Sequence, residues 1–282
     1  ILGGHMNKFE GSSKYIAGEE LLNSVNVAMA LQKPLLIKGE PGTGKTMLAE
    51  AIAESLGMEL IIWSIKSTTK AQDGLYLYDT VQRLYDSQFG EGNVGDIKQY
   101  IRLGKLGEAF TSEKQCVLLI DEIDKADLEF PNDLLWELDK MEFYINETKE
   151  TIKTKTRPIV IITSNAEKEL PDAFLRRCIF HYIEFPDKDK MTEIVHAHYG
   201  DIDKKLVEQA MEAFYSLRDM NELQKKPSTS ELLDWIQALI ISGVDIKKIV
   251  DEIPYVGVLL KKNEDIEVMR EIKEKGYSLK RW

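Results

Sequence analysis

Residues 39–48 read GEPGTGKTML, and Gly39, Gly44, Lys45 and Thr46 fit the spacing G-x-x-x-x-G-K-[ST] without a mismatch. Those residue types in that order suit a phosphate chain. Glycines let the backbone approach an anion closely. A loop that runs into a helix N-terminus turns its N–H groups, and the positive end of the helix dipole, toward that anion. The Lys45 ammonium would neutralise the outer phosphates, and the Thr46 hydroxyl would ligate Mg²⁺. The candidate nucleotide-binding set is therefore Gly39, Glu40, Pro41, Gly42, Thr43, Gly44, Lys45, Thr46 and Met47. The alternative, a glycine-rich turn that binds nothing, fits the flanks less well: residues 34–38 read as a short buried strand and 47–53 as a helix.

A second group of residues completes hydrolytic chemistry. Residues 117–120 form an apolar run that ends in Asp121 and Glu122. Carboxylates at strand ends of a parallel sheet face the crevice where ligands bind. Asp121 would hold Mg²⁺, through water, and Glu122 would act as general base on the attacking water. Asn165 follows the run 159–164, where its amide would orient that water or touch the γ-phosphate; capping of the next turn is the other reading. Arg176 and Arg177 lie on a short helix before a strand. Neither reaches its own phosphate loop in any obvious way, which suits an arginine supplied to a neighbouring site, where it would stabilise charge on the γ-phosphate. A charged helix surface is the plainer alternative.

The elements that must carry these residues can be read from periodicity. Residues 17–32 have helical spacing, 58–65 are an apolar strand, and strand, loop, helix and strand make a right-handed βαβ unit. The runs 116–120, 158–162 and 178–185 are further strands. Their continuous apolarity predicts burial on both faces, as in a parallel sheet between helices. From residue 187 helical patterns take over, at 187–199, 202–217 and 230–241. The domain boundary is placed at Pro186, giving an α/β domain over 7–186 and a helical domain over 187–282. Residues 66–115 exceed what one crossover needs and read as an inserted segment. In it, 74–78 and 90–95 are expected loop tips bracketing a helix at 80–89. Residues 142–157 read as a β-hairpin turning near 146–148.

Composition narrows the function classes. The chain has 282 residues, 43% of them hydrophobic, and a net charge of −11. Such acidity opposes loose association with nucleic acid, and short clusters such as Lys225-Lys226 and Lys261-Lys262 lack interleaved aromatics. No apolar run approaches the ~20 residues of a membrane span, and no signal peptide is evident. A cytoplasmic location is expected. Cys116 and Cys178 adjoin apolar runs and read as buried thiols. Residues 1–6 read as an expression remnant before a native start at Met6.

These features in this order, with a helical second domain, resemble the AAA+ ATPases and specifically their MoxR-like branch, over residues 12 to about 260. The closest wording lies at 121–127 (DEIDKAD), 170–177 (LPDAFLRR) and 226–235 (KPSTSELLDW). The resemblance implies a P-loop NTPase sheet followed by a small all-α lid. It implies residues 39–46 as Walker A, Asp121 and Glu122 as Walker B, Asn165 as sensor 1, and Arg177 or Arg176 as the arginine finger. It further implies ATP and Mg²⁺, a ring that is usually a hexamer, residues 66–115 as a helix-2 insertion and 142–157 as a pre-sensor hairpin. Relatives in this branch are chaperone-like motors that mature metalloenzymes or other complexes, often with a von Willebrand A domain partner. One such group, similar to this chain, matures carbon monoxide dehydrogenase.

One position departs from the family pattern. A sensor 2 arginine is expected where the chain reads PSTSE at 227–231, and Ser228 with Glu231 instead has the S-x-x-E spacing of a capping box. Lys225 or Lys226 would be the replacement charge. The favoured function is Mg²⁺-dependent ATP hydrolysis that remodels or matures a protein partner such as a von Willebrand A domain protein or a metalloenzyme precursor. A nucleotide-switched scaffold with little hydrolysis is the alternative, ahead of a nucleic-acid-dependent ATPase. Tyr76, Tyr78, Tyr85 and Phe89 are candidate partner anchors in the insertion, with local packing the competing explanation for each ring.

Overall fold

The computed structural model describes residues 8–12, 15, 17–90, 93–165 and 167–274; the six-residue N-terminal remnant, and part of the loop expected at 90–95, lie outside them. Nine strands are present among the described residues: β1 (Leu35–Gly39), β2 (Leu60–Ser64), β3 (Tyr76–Tyr78), β4 (Ile101–Leu103), β5 (Val117–Asp121), β6 (Glu142–Ile145), β7 (Glu150–Lys153), β8 (Ile159–Ser164) and β9 (Ile179–Ile183). Five of them form one parallel sheet in the order β2-β5-β8-β1-β9. The apolar runs explain this placement. All six residues of β8 are buried and β5 is buried up to its last residue, so these strands take central positions with helices on both faces.

The edge strands differ from the expectation of burial on both faces. β9, at the edge beside β1, alternates half-buried and exposed residues: the helix Glu19–Leu31 packs on the face of Ile179, His181 and Ile183, and Phe180 and Tyr182 lie on the other, open face. β2 alternates in the same way. Helix α1 (Glu19–Leu31) and helix α2 (Lys45–Leu56) pack on one face, where Val25, Leu48 and Ile52 meet Leu35, Ile37, Val117 and Leu119. On the other face Leu36, Leu118, Ile120 and Ile162 meet Phe110, Phe130 and Phe174.

The inserted segment corrects a second expectation. Residues 74–78 are not a loop tip: Ala71–Leu75 is helical, and β3 pairs antiparallel with β4, Tyr76 opposite Leu103. Gly74 is required by packing, since a Cβ there would stand 2.3 Å from the Trp63 ring. The helix Thr80–Phe89 forms where its periodicity predicts, with the Asp79 side chain accepting from the Gln82 N–H at 2.9 Å. Its apolar face is exposed, with Val81 80% and Phe89 63% open to solvent. β6 and β7 form an antiparallel hairpin.

The chain divides into two compact units. One holds the described residues up to Glu40 and Gly44–Ile183; the other holds Pro41–Thr43 and the described residues from Glu184 onward. The second unit is helical and packs around Trp235, Phe214, Met211 and Leu239. Trp235 Nε1 donates to the Pro254 carbonyl at 2.6 Å. The Arg218 guanidinium lies 3.3 Å from the Phe185 ring centre and donates to the Pro227 carbonyl at 2.6 Å, which fixes the segment leading into the helix Thr229–Ser242. No helix of the described residues is long and apolar enough to cross a membrane.

Candidate functional site

The glycine-rich segment leaves β1 and enters α2, as the pattern requires. Gly44, the residue before α2, has φ +83°, a left-handed backbone that costs a residue with a Cβ ~1–2 kcal/mol. A Cβ on Gly44 would also sit 3.3 Å from the Tyr15 ring. Lys45 is buried, and its Nζ donates to the carbonyls of Gly39 at 2.9 Å and Glu40 at 2.7 Å. Burial pushes this ammonium below the ordinary lysine range, while Asp124, Asp121, Glu122 and Glu40 pull it back up. The four carboxylates thus offset part of the cost of burying this charge. Met47, on the first turn of α2, is exposed.

β5 and β8 lie side by side with Ile120 level with Ile162, so Asp121 arrives next to Thr163. The Thr163 hydroxyl is fully buried and donates to Asp121 Oδ1 at 2.7 Å. It also accepts the Glu122 N–H at 2.8 Å. The Thr46 hydroxyl donates to the same Asp121 Oδ1 at 3.1 Å. Glu122 has φ +59°, and this left-handed residue turns the chain out of the sheet. Its Oε1 accepts from Asn165 Nδ2 at 2.8 Å, and its Oε2 pairs with Lys125. Thus Thr46, Asp121, Glu122 and Asn165, chosen from separate stretches of sequence, meet in one cluster beside Lys45.

Three members of this cluster escaped the sequence reading. Thr163 joins Asp121 to Glu122. Asp124, 3% exposed, accepts the N–H groups of Asn165 at 3.3 Å and Glu167 at 2.9 Å, and so holds the chain where it leaves β8. Lys125 holds the free oxygen of Glu122. A signal for Asp124 existed, because a buried acid within three residues of Asp121-Glu122 needs donors; none existed for Thr163, one β-branched residue among several in a strand.

Arg176 and Arg177 are exposed and stand apart from the cluster in their bonding. Arg177 donates to Asp139 Oδ2 and to the Ala173 carbonyl, both at 2.7 Å. The Arg176 guanidinium makes no hydrogen bond or ion pair among the described residues, and its backbone N–H donates to the Asp172 carbonyl at 3.1 Å. In the helical unit the capping box is formed, with the Ser228 N–H donating to Glu231 at 2.7 Å. Lys225 is paired with the same Glu231 at 3.6 Å, whereas Lys226 is exposed. A Cβ on Gly42, whose φ is +78°, would stand 2.6 Å from the Ser228 Cβ.

The donor set fits a hard divalent cation: a hydroxyl oxygen of Thr46 and a carboxylate of Asp121 converge within 3.1 Å, with no soft ligand among them. It also fits a polyphosphate, since a buried ammonium and an N-terminal helix turn meet at the same place. The insertion's anchors divide. Tyr76 is 5% exposed, stacks on Phe143 with ring centres 6.2 Å apart and accepts the Asn146 N–H at 3.0 Å, so packing accounts for it. Tyr78 accepts from Arg83 at 2.6 Å; Tyr85 and Phe89 are exposed and touch each other, with ring centres 4.5 Å apart.

Comparison with known proteins agrees with this geometry. The family model described as "ATPase family associated with various cellular activities (AAA)" matches residues 35–187, more than half of the chain. Midasin of Dictyostelium discoideum is 27% identical over 120 residues, 37% of this chain and 2% of that protein. The chloroplastic ATP-dependent zinc metalloproteases FTSH 8 and FTSH 2 of Arabidopsis thaliana are each 26% identical over 184 residues, 62% of this chain and 23% of theirs. The chain thus spans less than a quarter of the length of these relatives. Among solved structures, the Thermotoga maritima RuvB Holliday junction branch migration motor shares the fold, with a TM-score of 0.55 at 16% identity over 93% of this chain and 77% of that one.

Proposed function

The chain belongs to the AAA family of ATPases, and from that membership we propose that its ATP hydrolysis drives the remodelling or maturation of a protein partner. It is an ATP-hydrolysing P-loop enzyme. The observation that supports the residue roles best is the shared cluster of Thr46, Asp121, Thr163, Glu122 and Asn165. In this reading Lys45 and the N–H groups of the 39–47 loop bind the phosphates. Thr46 and Asp121 hold Mg²⁺, which when bound neutralises charge on the phosphate oxygens. Glu122 accepts the proton of the attacking water, and Asn165, bonded to the same carboxylate, orients it. Arg176 is the better candidate for a finger acting on a neighbouring subunit, because Arg177 is engaged with Asp139.

AAA+ proteins usually oligomerise in rings, and a homo-hexamer is proposed for this one. The placement in the MoxR-like branch, with a cytoplasmic location and a von Willebrand A domain protein or metalloenzyme precursor as client, rests on the wording at 121–127, 170–177 and 226–235. A nucleic-acid motor, which the name of the RuvB neighbour would suggest, is opposed by the net charge of −11. The test compares Lys45→Ala with Glu122→Gln. The first should lose ATP binding. The second should bind Mg-ATP, hydrolyse it at least ~100-fold more slowly, and capture a protein from native lysate when ATP is present. Equal loss of binding in both, or tenfold stimulation of the wild type by DNA or RNA without a captured protein, would overturn the proposal.

A further inference from the structure

The assignment of Glu122 as general base leaves one feature unexplained, namely what keeps its carboxylate facing one way. The backbone of Glu122 is fixed by its left-handed φ and by its N–H bond to Thr163, so the remaining freedom lies in the side chain. One oxygen accepts from Asn165 Nδ2. Asn165 is a firm support, since Asp124 grips its N–H and that of Glu167. The other oxygen pairs with Lys125 Nζ.

The Lys125 contact follows from local geometry. Ile123–Lys125 is a single 3₁₀ turn with Glu122 as its N-cap, closed by the Lys125 N–H donating to the Glu122 carbonyl at 3.0 Å, which brings the two residues together. The lysine therefore stands over the glutamate. The turn itself is tied down: Lys168 Nζ donates to the carbonyls of Lys125 at 3.3 Å and Ala126 at 2.8 Å, next to the Asp124 bonds from Asn165 and Glu167. Lys125 is half-exposed, and nothing in the core depends on its side chain.

We propose that Lys125 is a positioning residue for hydrolysis, acting with Asn165 as the second point of a two-point clamp that sets the orientation of the Glu122 carboxylate. The inference rests on Glu122 being the base. A carboxylate held at one oxygen swings about that contact, and misplacing a reacting group by ~1 Å costs on the order of 100-fold in rate. An exposed ion pair restrains more weakly than that, so a smaller effect is expected here.

The test uses the full chain with Lys125→Met, which keeps the length of the side chain and removes its charge, and Lys125→Arg, which restores a cation. Lys125→Met should lower kcat for ATP about tenfold while KM stays within about twofold, and Lys125→Arg should recover most of the loss. In a Glu122→Gln background, Lys125→Met should add no further loss. An unchanged or raised kcat in Lys125→Met, a KM that rises in step with the loss, or an equal further loss in the Glu122→Gln background would overturn the clamp. Glu122→Gln alone separates the two ideas: if it hydrolyses ATP normally, the base assignment has failed, whereas a slow Glu122→Gln with a normal Lys125→Met refutes the clamp alone.

Discussion

Thr163→Val removes a hydroxyl and keeps the shape, so it isolates what that buried oxygen does. In the structure the hydroxyl donates to Asp121 Oδ1 at 2.7 Å and accepts the Glu122 N–H at 2.8 Å. Losing a hydrogen bond to a charged group costs ~1.5–3 kcal/mol, and an orphaned N–H adds ~1–3 kcal/mol when it is buried. Glu122 is only partly buried and Asp121 keeps its bond from Thr46, so the lower halves apply and the sum is about 2–4 kcal/mol. At ~2–4 °C per kcal/mol for a chain of this size, the melting temperature should fall by roughly 5–15 °C. Thr163→Ser keeps both bonds and loses one methyl, ~1 kcal/mol. Urea denaturation followed by circular dichroism, with kcat for ATP measured alongside, compares the two variants. The Val variant should unfold at clearly lower urea and hydrolyse ATP at least about tenfold more slowly, since the Asp121 carboxylate and the Glu122 backbone each lose a support. Equal midpoints and equal kcat in Val and Ser variants would refute the idea that this hydroxyl links Asp121 to Glu122.

Ser228→Ala should cost ~1 kcal/mol in denaturation through loss of the hydroxyl half of the capping box, the Ser228 N–H bond to Glu231 being kept, with ATP affinity, measured by titration calorimetry, within a few-fold of wild type; abolished binding in a folded protein would place the hydroxyl in the nucleotide site instead. Tyr76→Ala should destabilise by about 3–5 kcal/mol because the ring is buried against Phe143, whereas Tyr85→Ala should shift the denaturation midpoint little. Burial pushes Tyr15, Tyr215 and the Cys178 thiol each up to about 12. The unfolded chain therefore releases these protons first, so stability is full below the ordinary values of 10.0 for tyrosine and 9.0 for cysteine and falls as pH rises toward about 12, which thermal melts across that window should follow. At pH 8 the Cys178 thiolate fraction is on the order of 10⁻⁴, so native Cys178 should react with a thiol reagent far more slowly than in urea.

Much of the site was legible in the sequence because its determinants are local. The spacing of Gly39, Gly44, Lys45 and Thr46 fixes a loop between one strand and one helix. The positive φ of Gly44 is a demand that neighbouring residues already state. Ser228 and Glu231 bond across three residues, which a pattern can show. The fold class followed from apolar runs too long for one-faced strands. Where that reasoning failed, at β9 and at residues 74–78, the outcome depended on a neighbour. β9 lies at an edge, and Gly74 answers to a Trp63 ring eleven positions away in the chain.

Sequence by itself therefore determined the glycine-rich loop between β1 and α2, the carboxylates at the end of β5 and the helical character of the second unit, since each is written in contiguous residues or a short period. Tertiary structure decided which side chains support them. Thr163 serves Asp121 and Glu122 only because β8 lies beside β5 in the register that sets Ile120 against Ile162. Asp124 finds Asn165 and Glu167 for the same reason, and Tyr76 became a core residue once β3 paired with β4 and its ring met Phe143. Pairings between residues about forty positions apart have no period to read, because strand order and register arise from the burial of whole faces rather than from any short segment.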